Sequence, residues 1–212
     1  VAGPAILVCQ EASDAGPKNV AVALEAKSSL DFLKRLFDLS RQRQLFVIGD
    51  RARSAEFEAA GIDIREWLPT SAGGGWFAEQ HELLHDDTPA QVTFTSGTEG
   101  KPKGILLTHG NLSDVSERLI AEMALSSEIR EYVGVPVTMS FGLARIRAIS
   151  AVGGAAYLPP RGFDPAELAR MLGSGEVNAL SAVPTLLRVL RGASDVIREH
   201  GAQLRWLEIG SQ

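Results

Sequence analysis

Hydrophobic positions along the chain alternate between two periods. Short continuous apolar runs have the length of strands, and between them apolar residues recur three or four apart, as on one face of a helix. Residues 5–9, 20–24, 45–48, 91–94 and 105–107 are of the first kind, with a weaker strand at 62–64. Leu30, Leu33, Leu36 and Phe37 are of the second kind, behind Ser28 and Ser29, which can cap a helix. A helix over 54–60 is predicted to stop at Gly61. Leu112, Val115, Leu119, Ile120 and Met123 give a helix over 111–124 one apolar stripe for packing, with Asn111 as its N-cap. Further on, strands are expected at 132–137, 155–158, 177–180 and 204–209, and helices at 141–152, 184–190 and 194–200. Asp164-Pro165-Ala166-Glu167 opens one more helix: Asp164 as N-cap, Pro165 at the first helical position, Glu167 reaching back as the reciprocal partner.

Strands that alternate with helices require crossover connections. They predict an α/β fold of mainly parallel sheets flanked by helices. Three consecutive glycines and a polar stretch lie between residues 71 and 90, which reads as a surface linker with Trp76 and Phe77 tucked onto the body. The expected organisation is a smaller N-terminal α/β lobe over 1–70, the linker over 71–90, and a second α/β subdomain over 91–212. His81 and His85 are four apart, but no third ligand stands near them, so no metal site is expected there.

Composition narrows the picture. A formal net charge of -5 over 212 residues argues against nucleic acid as a partner, since a phosphate-binding face carries a basic excess. The single cysteine, Cys9, cannot form an intrachain disulfide and reads as a small apolar strand residue. No apolar run has the length of a membrane span, and the first residues lack a signal-peptide pattern. A cytoplasmic protein without a membrane span is expected, its first residue, Val1, marking a cut or processed N-terminus.

One segment carries distinctive chemistry. Between two strand-like runs, Thr95-Ser96-Gly97-Thr98-Glu99-Gly100-Lys101-Pro102-Lys103-Gly104 gathers three glycines, three hydroxyls and two lysines. Glycines let backbone N–H groups approach a ligand, and successive N–H groups form an anion-binding nest. Hydroxyls add donors and lysines add charge, which together suit a polyphosphate. The segment is not a Walker A loop, because Lys101 precedes proline and the glycine spacing differs.

Residues 95–104 resemble the signature loop of the adenylate-forming enzymes, the superfamily of acyl-CoA synthetases, nonribosomal peptide synthetase adenylation domains and luciferases. Their usual loop reads Thr-Ser-Gly-Thr-Thr-Gly-x-Pro-Lys-Gly, so Glu99 departs from it. The resemblance continues, in order, through Thr108-His109-Gly110-Asn111-Leu112, the 135–143 segment, Val183-Pro184 and Gly210-Ser211. It implies part of the large N-terminal domain of an AMP-forming acid–thiol ligase, which joins a small carboxylic acid to ATP and then passes the acyl group to coenzyme A or a carrier-protein phosphopantetheine. By the same resemblance Thr95, Ser96, Gly97, Thr98, Glu99, Gly100, Lys103 and Gly104 hold phosphates, with Lys103 the catalytic charge, and Gly210 and Ser211 lie under the adenine. Met139, Ser140, Phe141 and Gly142 lie near the acid, with Met139 where the family often has histidine. The family's adenine-stacking, ribose-binding and Mg²⁺-binding motifs are expected beyond Gln212, so the chain taken alone is expected to be an inactive fragment. Glu99 and Met139 leave room for an alternative, a non-catalytic α/β module that binds a nucleotide or a partner.

Overall fold

The computed structural model describes residues 7–8, 19–95, 103–193 and 195–210; Cys9 lies outside them. The described strands are β1 (Leu7–Val8), β2 (Asn19–Glu25), β3 (Phe46–Gly49), β4 (Ile62–Leu68), β5 (Gly75–Phe77), β6 (Pro89–Thr95), β7 (Lys103–Thr108), β8 (Arg130–Val133), β9 (Ala155–Leu158), β10 (Ala179–Ala182) and β11 (Trp206–Ile209). The helices are α1 (Leu30–Arg41), α2 (Ser54–Ala59), α3 (His109–Met123), α4 (Ser140–Ala151), α5 (Pro165–Gly173), α6 (Pro184–Ala193) and α7 (Val196–His200). They fall into two compact units, one of residues 1–27, 31–71 and 83–114, the other of residues 28–30, 72–82 and 115–212.

The first unit holds a six-stranded sheet in the order β1-β7-β6-β3-β2-β4. Pairs β6–β3, β3–β2 and β2–β4 are parallel, whereas β6–β7 and β7–β1 are antiparallel. Phe57 of α2 is fully buried among Ala21, Ala23, Val47, Ile62 and Val92, which fixes the core on that face. A methyl group at Gly49 would come within 2.4 Å of the Phe57 ring, so the end of β3 must stay bare.

The second unit holds a five-stranded sheet, β11-β10-β8-β9-β5, parallel except where β5 pairs antiparallel with β9. In-register partners of parallel strands share a face. Tyr132, Leu180 and Ala182 therefore point to one side, where they pack with Leu168, Met171 and Leu172 of α5, Leu190 of α6 and Val196 of α7. Glu131, Ser181 and Glu208 point to the other side, which faces Arg145 of α4.

The α/β class with mostly parallel sheets follows the expected pattern. Local expectations fail at several points: the strand expected at 132–137 lies at Arg130–Val133, and three further differences are instructive. Residues 75–77, inside the expected surface linker, are a strand paired antiparallel with β9; Phe77 is buried as expected, whereas Trp76 stays 40% exposed. Asn111 is not the cap of α3. The helix starts two residues earlier, Thr108 Oγ1 accepts from the Asn111 amide at 3.1 Å and Asn111 Oδ1 accepts from the Thr108 amide at 3.1 Å, a reciprocal box with Thr108 as cap. Asp164 does cap α5, accepting from the amides of Ala166 and Glu167, but the Glu167 carboxylate turns instead to two tyrosine hydroxyls.

Candidate functional site

In the first unit the candidate phosphate segment joins two paired strands. Thr95 ends β6, Lys103 opens β7, and the two are register partners. The backbone thus sets them opposite each other at the base of the connection. Ser96, Gly97, Thr98, Glu99 and Gly100 lie outside the described residues, as does Ser211. Gly104 pairs with Phe94, and a methyl group there would meet the Phe94 ring and Val92 at 3.5 Å, an ordinary contact. Packing alone therefore does not require glycine at this position.

Phe94 gives the strand end a firm seat. Its ring lies 5.1 Å from that of Phe57, and the Arg53 guanidinium sits over both rings at 5.6 and 5.9 Å. Arg53 is itself held by Glu56 at 2.7 Å. The start of β6 is fixed as well. Asp86 accepts from the Thr88 amide at 2.9 Å and pairs with Arg43, and hydrogen bonds from the Thr88 hydroxyl first, then from Arg43 and the Thr88 amide, hold its carboxyl well below the usual carboxylate range. The amides of His109 and Gly110 donate to Thr88 O and Asp86 O, tying the start of α3 to the same stretch.

In the second unit the predicted acid-facing residues open α4. Met139 occupies its N-cap position and is 64% exposed, so it is available to a ligand rather than spent on packing. Ser140 follows as the first helical residue. A methyl group at Gly142 would stand 2.4 Å from Pro136 O, so Gly142 carries a packing requirement of its own. Phe141 lies against Gly210, whose missing side chain would begin 3.4 Å from the ring. The Gly210 amide donates to Ala182 O at 3.2 Å, which carries β11 alongside the end of β10. Phe141 and Gly210 therefore meet at the carboxyl ends of parallel strands, the place where open α/β sheets take ligands.

The sequence reading passed over a charged cluster behind this contact. Arg145, on α4, is fully buried; its Nε donates to Glu131 Oε1 and Oε2 at 3.3 and 3.2 Å, its Nη2 pairs with Glu131 Oε2, and its Nη1 lies 3.0 Å from Met123 Sδ and 2.8 Å from Glu208 Oε2. The Glu208 contact is an ion pair without the alignment of a hydrogen bond, and beside it the Ser181 hydroxyl is buried with no hydrogen-bond partner among the described residues. Burial opposes the Arg145 charge, but Glu131 and Glu208 more than offset it and hold the guanidinium above its ordinary value. Burial pushes the Glu208 carboxyl up, Arg145 pulls it down, and Glu131 pushes it up again, leaving it raised. The signal available in the sequence was weak, because Glu131 adjoins Arg130, Arg147 follows Arg145 on the same helix, and Arg205 stands in the same run as Glu208.

No group of three or more His, Cys, Asp or Glu among the described residues is placed to hold a metal ion, and no described helix is long and apolar enough to cross a membrane.

Comparison with known proteins decides the lineage. The AMP-binding enzyme family matches residues 3–210. The chain belongs to that family. Among curated AMP-binding relatives, YngI of Bacillus subtilis (strain 168), which bears the acyl-CoA synthetase name, is 30% identical over 146 residues, 68% of this chain and 26% of its own length. The 2-succinylbenzoate–CoA ligase of the same organism is 30% identical over 175 residues, 80% of this chain and 34% of its own length. The structure of O-succinylbenzoate coenzyme A synthetase from Bacillus subtilis, in complex with AMP, aligns with a TM-score of 0.69 at 19% identity, covering 91% of this chain and 55% of that one. The aligned part of its fold is that of the present chain. The chain thus spans about a quarter to a third of these curated relatives.

Proposed function

We propose that this chain carries the pyrophosphate-gripping part of an ATP-dependent ligase that activates a small carboxylic acid. The acid's carboxylate attacks the α-phosphorus of ATP, forming an acyl-adenylate and releasing pyrophosphate, and a thiol of coenzyme A or of a carrier-protein phosphopantetheine then takes the acyl group. The observation that carries this reading is the pairing of Thr95 with Lys103. It sets the two ends of a glycine-, hydroxyl- and lysine-rich segment on rigid, well-packed strands, in a chain of the AMP-binding family.

In the first unit, Thr95, Ser96, Gly97, Thr98, Glu99, Gly100, Lys103 and Gly104 serve the phosphates. Lys103 meets the charge that develops on the departing pyrophosphate. Preorganised charge aimed at such a group is usually the largest single contribution to catalysis. In the second unit, Met139, Ser140, Phe141 and Gly142 serve the acid, and Gly210 and Ser211 serve the base. Mg²⁺, which would neutralise phosphate charge, takes its protein ligands from outside the described residues. Each relative's coverage supports a larger enzyme in which the 212 residues alone do not turn over.

The test is ATP–pyrophosphate exchange by the full-length protein with a panel of small carboxylic acids. Lys103→Ala is expected to lower exchange by about a hundredfold or more, the scale of one lost oxyanion-type contact. Lys101→Ala is expected to cost less than about tenfold. Equal losses would remove Lys103 from its role. ATP binding with no exchange for any acid would favour a non-catalytic binding module, the reading that Glu99 and the exposed Met139 support.

A further inference from the structure

The buried cluster of Glu131, Arg145 and Glu208 has no place in the chemistry above, and it is an expensive thing to build. A guanidinium and one carboxylate fully withdrawn from water, with a second carboxylate, Glu208, mostly so, contribute little net stability, and well-packed apolar residues in their place are often neutral or better. What such a cluster supplies is fixed geometry, because a planar guanidinium fork bonds carboxylates only in restricted orientations. Arg145 uses its fork to bind two strands at once, β8 through Glu131 and β11 through Glu208, across the intervening β10.

The position of the fork matters. Arg145 follows Phe141 by four residues on α4, so both side chains lie on the same helix face. Glu208 precedes by two residues Gly210, which directly follows β11 and continues its alignment by donating to Ala182 O of β10. Four helical residues advance about 6 Å, and two strand residues about 6.6 Å. The ion pair Arg145–Glu208 and the contact Phe141–Gly210 are therefore successive rungs of one ladder between α4 and β11. A slip of the helix along the strand cannot alter one rung without the other.

We propose that Arg145 is a positioning residue: the Glu131–Arg145–Glu208 cluster sets the register of α4 on β11 and thereby seats Phe141 against Gly210. That it matters to turnover rests on the function proposed above; that it sets the register does not. Three elements meet the one side chain, β8 through Glu131, β11 through Glu208 and α3 through the Met123 sulfur at 3.0 Å, so the guanidinium has little room to accommodate a shifted helix. The excess of one carboxylate in the cluster and the unpartnered Ser181 hydroxyl mark it as a place where polar cost was accepted.

The register is read by NMR on the 212-residue chain, where the Phe141 ring shifts the α-proton signals of Gly210. In Arg145→Met, which keeps length but not charge, this ring-current shift is expected to collapse while the secondary structure persists. Arg145→Lys, which keeps charge but loses the fork, is expected to restore only part of it. An unchanged Gly210 shift in folded Arg145→Met overturns the proposal. Should Arg145→Met not fold, the triple variant Glu131→Gln/Arg145→Met/Glu208→Gln removes the orphaned charges and is put to the same test. In the full-length enzyme, Arg145→Met is expected to lower exchange ten- to a hundredfold, the scale of a misplaced group near the reaction. Arg145→Met added to Phe141→Ala is expected to cost less than about twofold more, because one acts through the other. Additive losses overturn the coupling. The two ideas fail separately: an enzyme indifferent to Lys103→Ala refutes the proposed function and leaves the Gly210 shift to decide the register.

Discussion

Tyr132 and Tyr157, the protein's two tyrosines, both donate to the Glu167 carboxylate, at 3.0 and 2.7 Å. Burial first, and the adjoining carboxylate second, push Tyr157 up to about 12, and burial raises Tyr132 as well. A folded-state value above the unfolded one means a contribution to stability that is complete below the unfolded value of 10.0 and lost as the pH climbs through the folded value. An alkaline titration followed by phenolate absorbance should therefore show neither tyrosine ionising near pH 10, with the signal arriving only together with unfolding; reversible ionisation of the native protein near pH 10 would count against the Glu167 contacts. Gly104 makes a second residue-level case. Since a methyl group there meets only ordinary contacts, Gly104→Ala should leave the melting temperature within about 2 °C of the parent, the scale of less than 1 kcal/mol in a domain this size. A loss of exchange in that stable variant then reports a ligand backed against the strand. The Glu167 pairing was not legible in sequence, because the same spacing that signals a capping box leaves the carboxylate free to choose a better partner once two phenols arrive from other strands.

Helix starts and strand runs were the most legible elements, as their signals are local. Asp164-Pro165 opens α5 as the pattern required, with the carboxylate accepting from two amides at 2.9 and 3.2 Å. Asp164→Ala should cost about 1 kcal/mol and lower the melting temperature by about 2–4 °C, measured by calorimetry. A variant that melts with the parent would mean that the rest of α5 holds its own first turn. The start of α3 was misplaced because Thr108 and Asn111 are both good caps, and only the backbone path from β7 decides between them. Strand β5 was missed because three residues carry too little period to read, and its place comes from β9. The charges of Glu131, Arg145 and Glu208 were not legible, since each shares its run with another charge and nothing in one dimension says that the three elements will bring them together.

On the scale of the whole molecule, alternation of strand and helix led to the right class, and the sheet orders could not have been read from it. A parallel strand finds its neighbour through a crossover, so β10 sits between β8 and β11 for reasons that lie in the packing of α5, α6 and α7. The hairpin β6–β7 is the exception, its partners being near in the chain. That nearness has a kinetic consequence. Pairs such as Phe46↔Gln91 or Ala179↔Glu131 must wait for long stretches of chain to be closed, and loop closure costs entropy before any contact repays it. A hairpin closes in roughly 1–10 μs. The scaffold that sets Thr95 opposite Lys103 can thus pair without waiting for the long crossovers that join the parallel strands of the same sheet, although β2, β3 and β4 leave the ribosome before it.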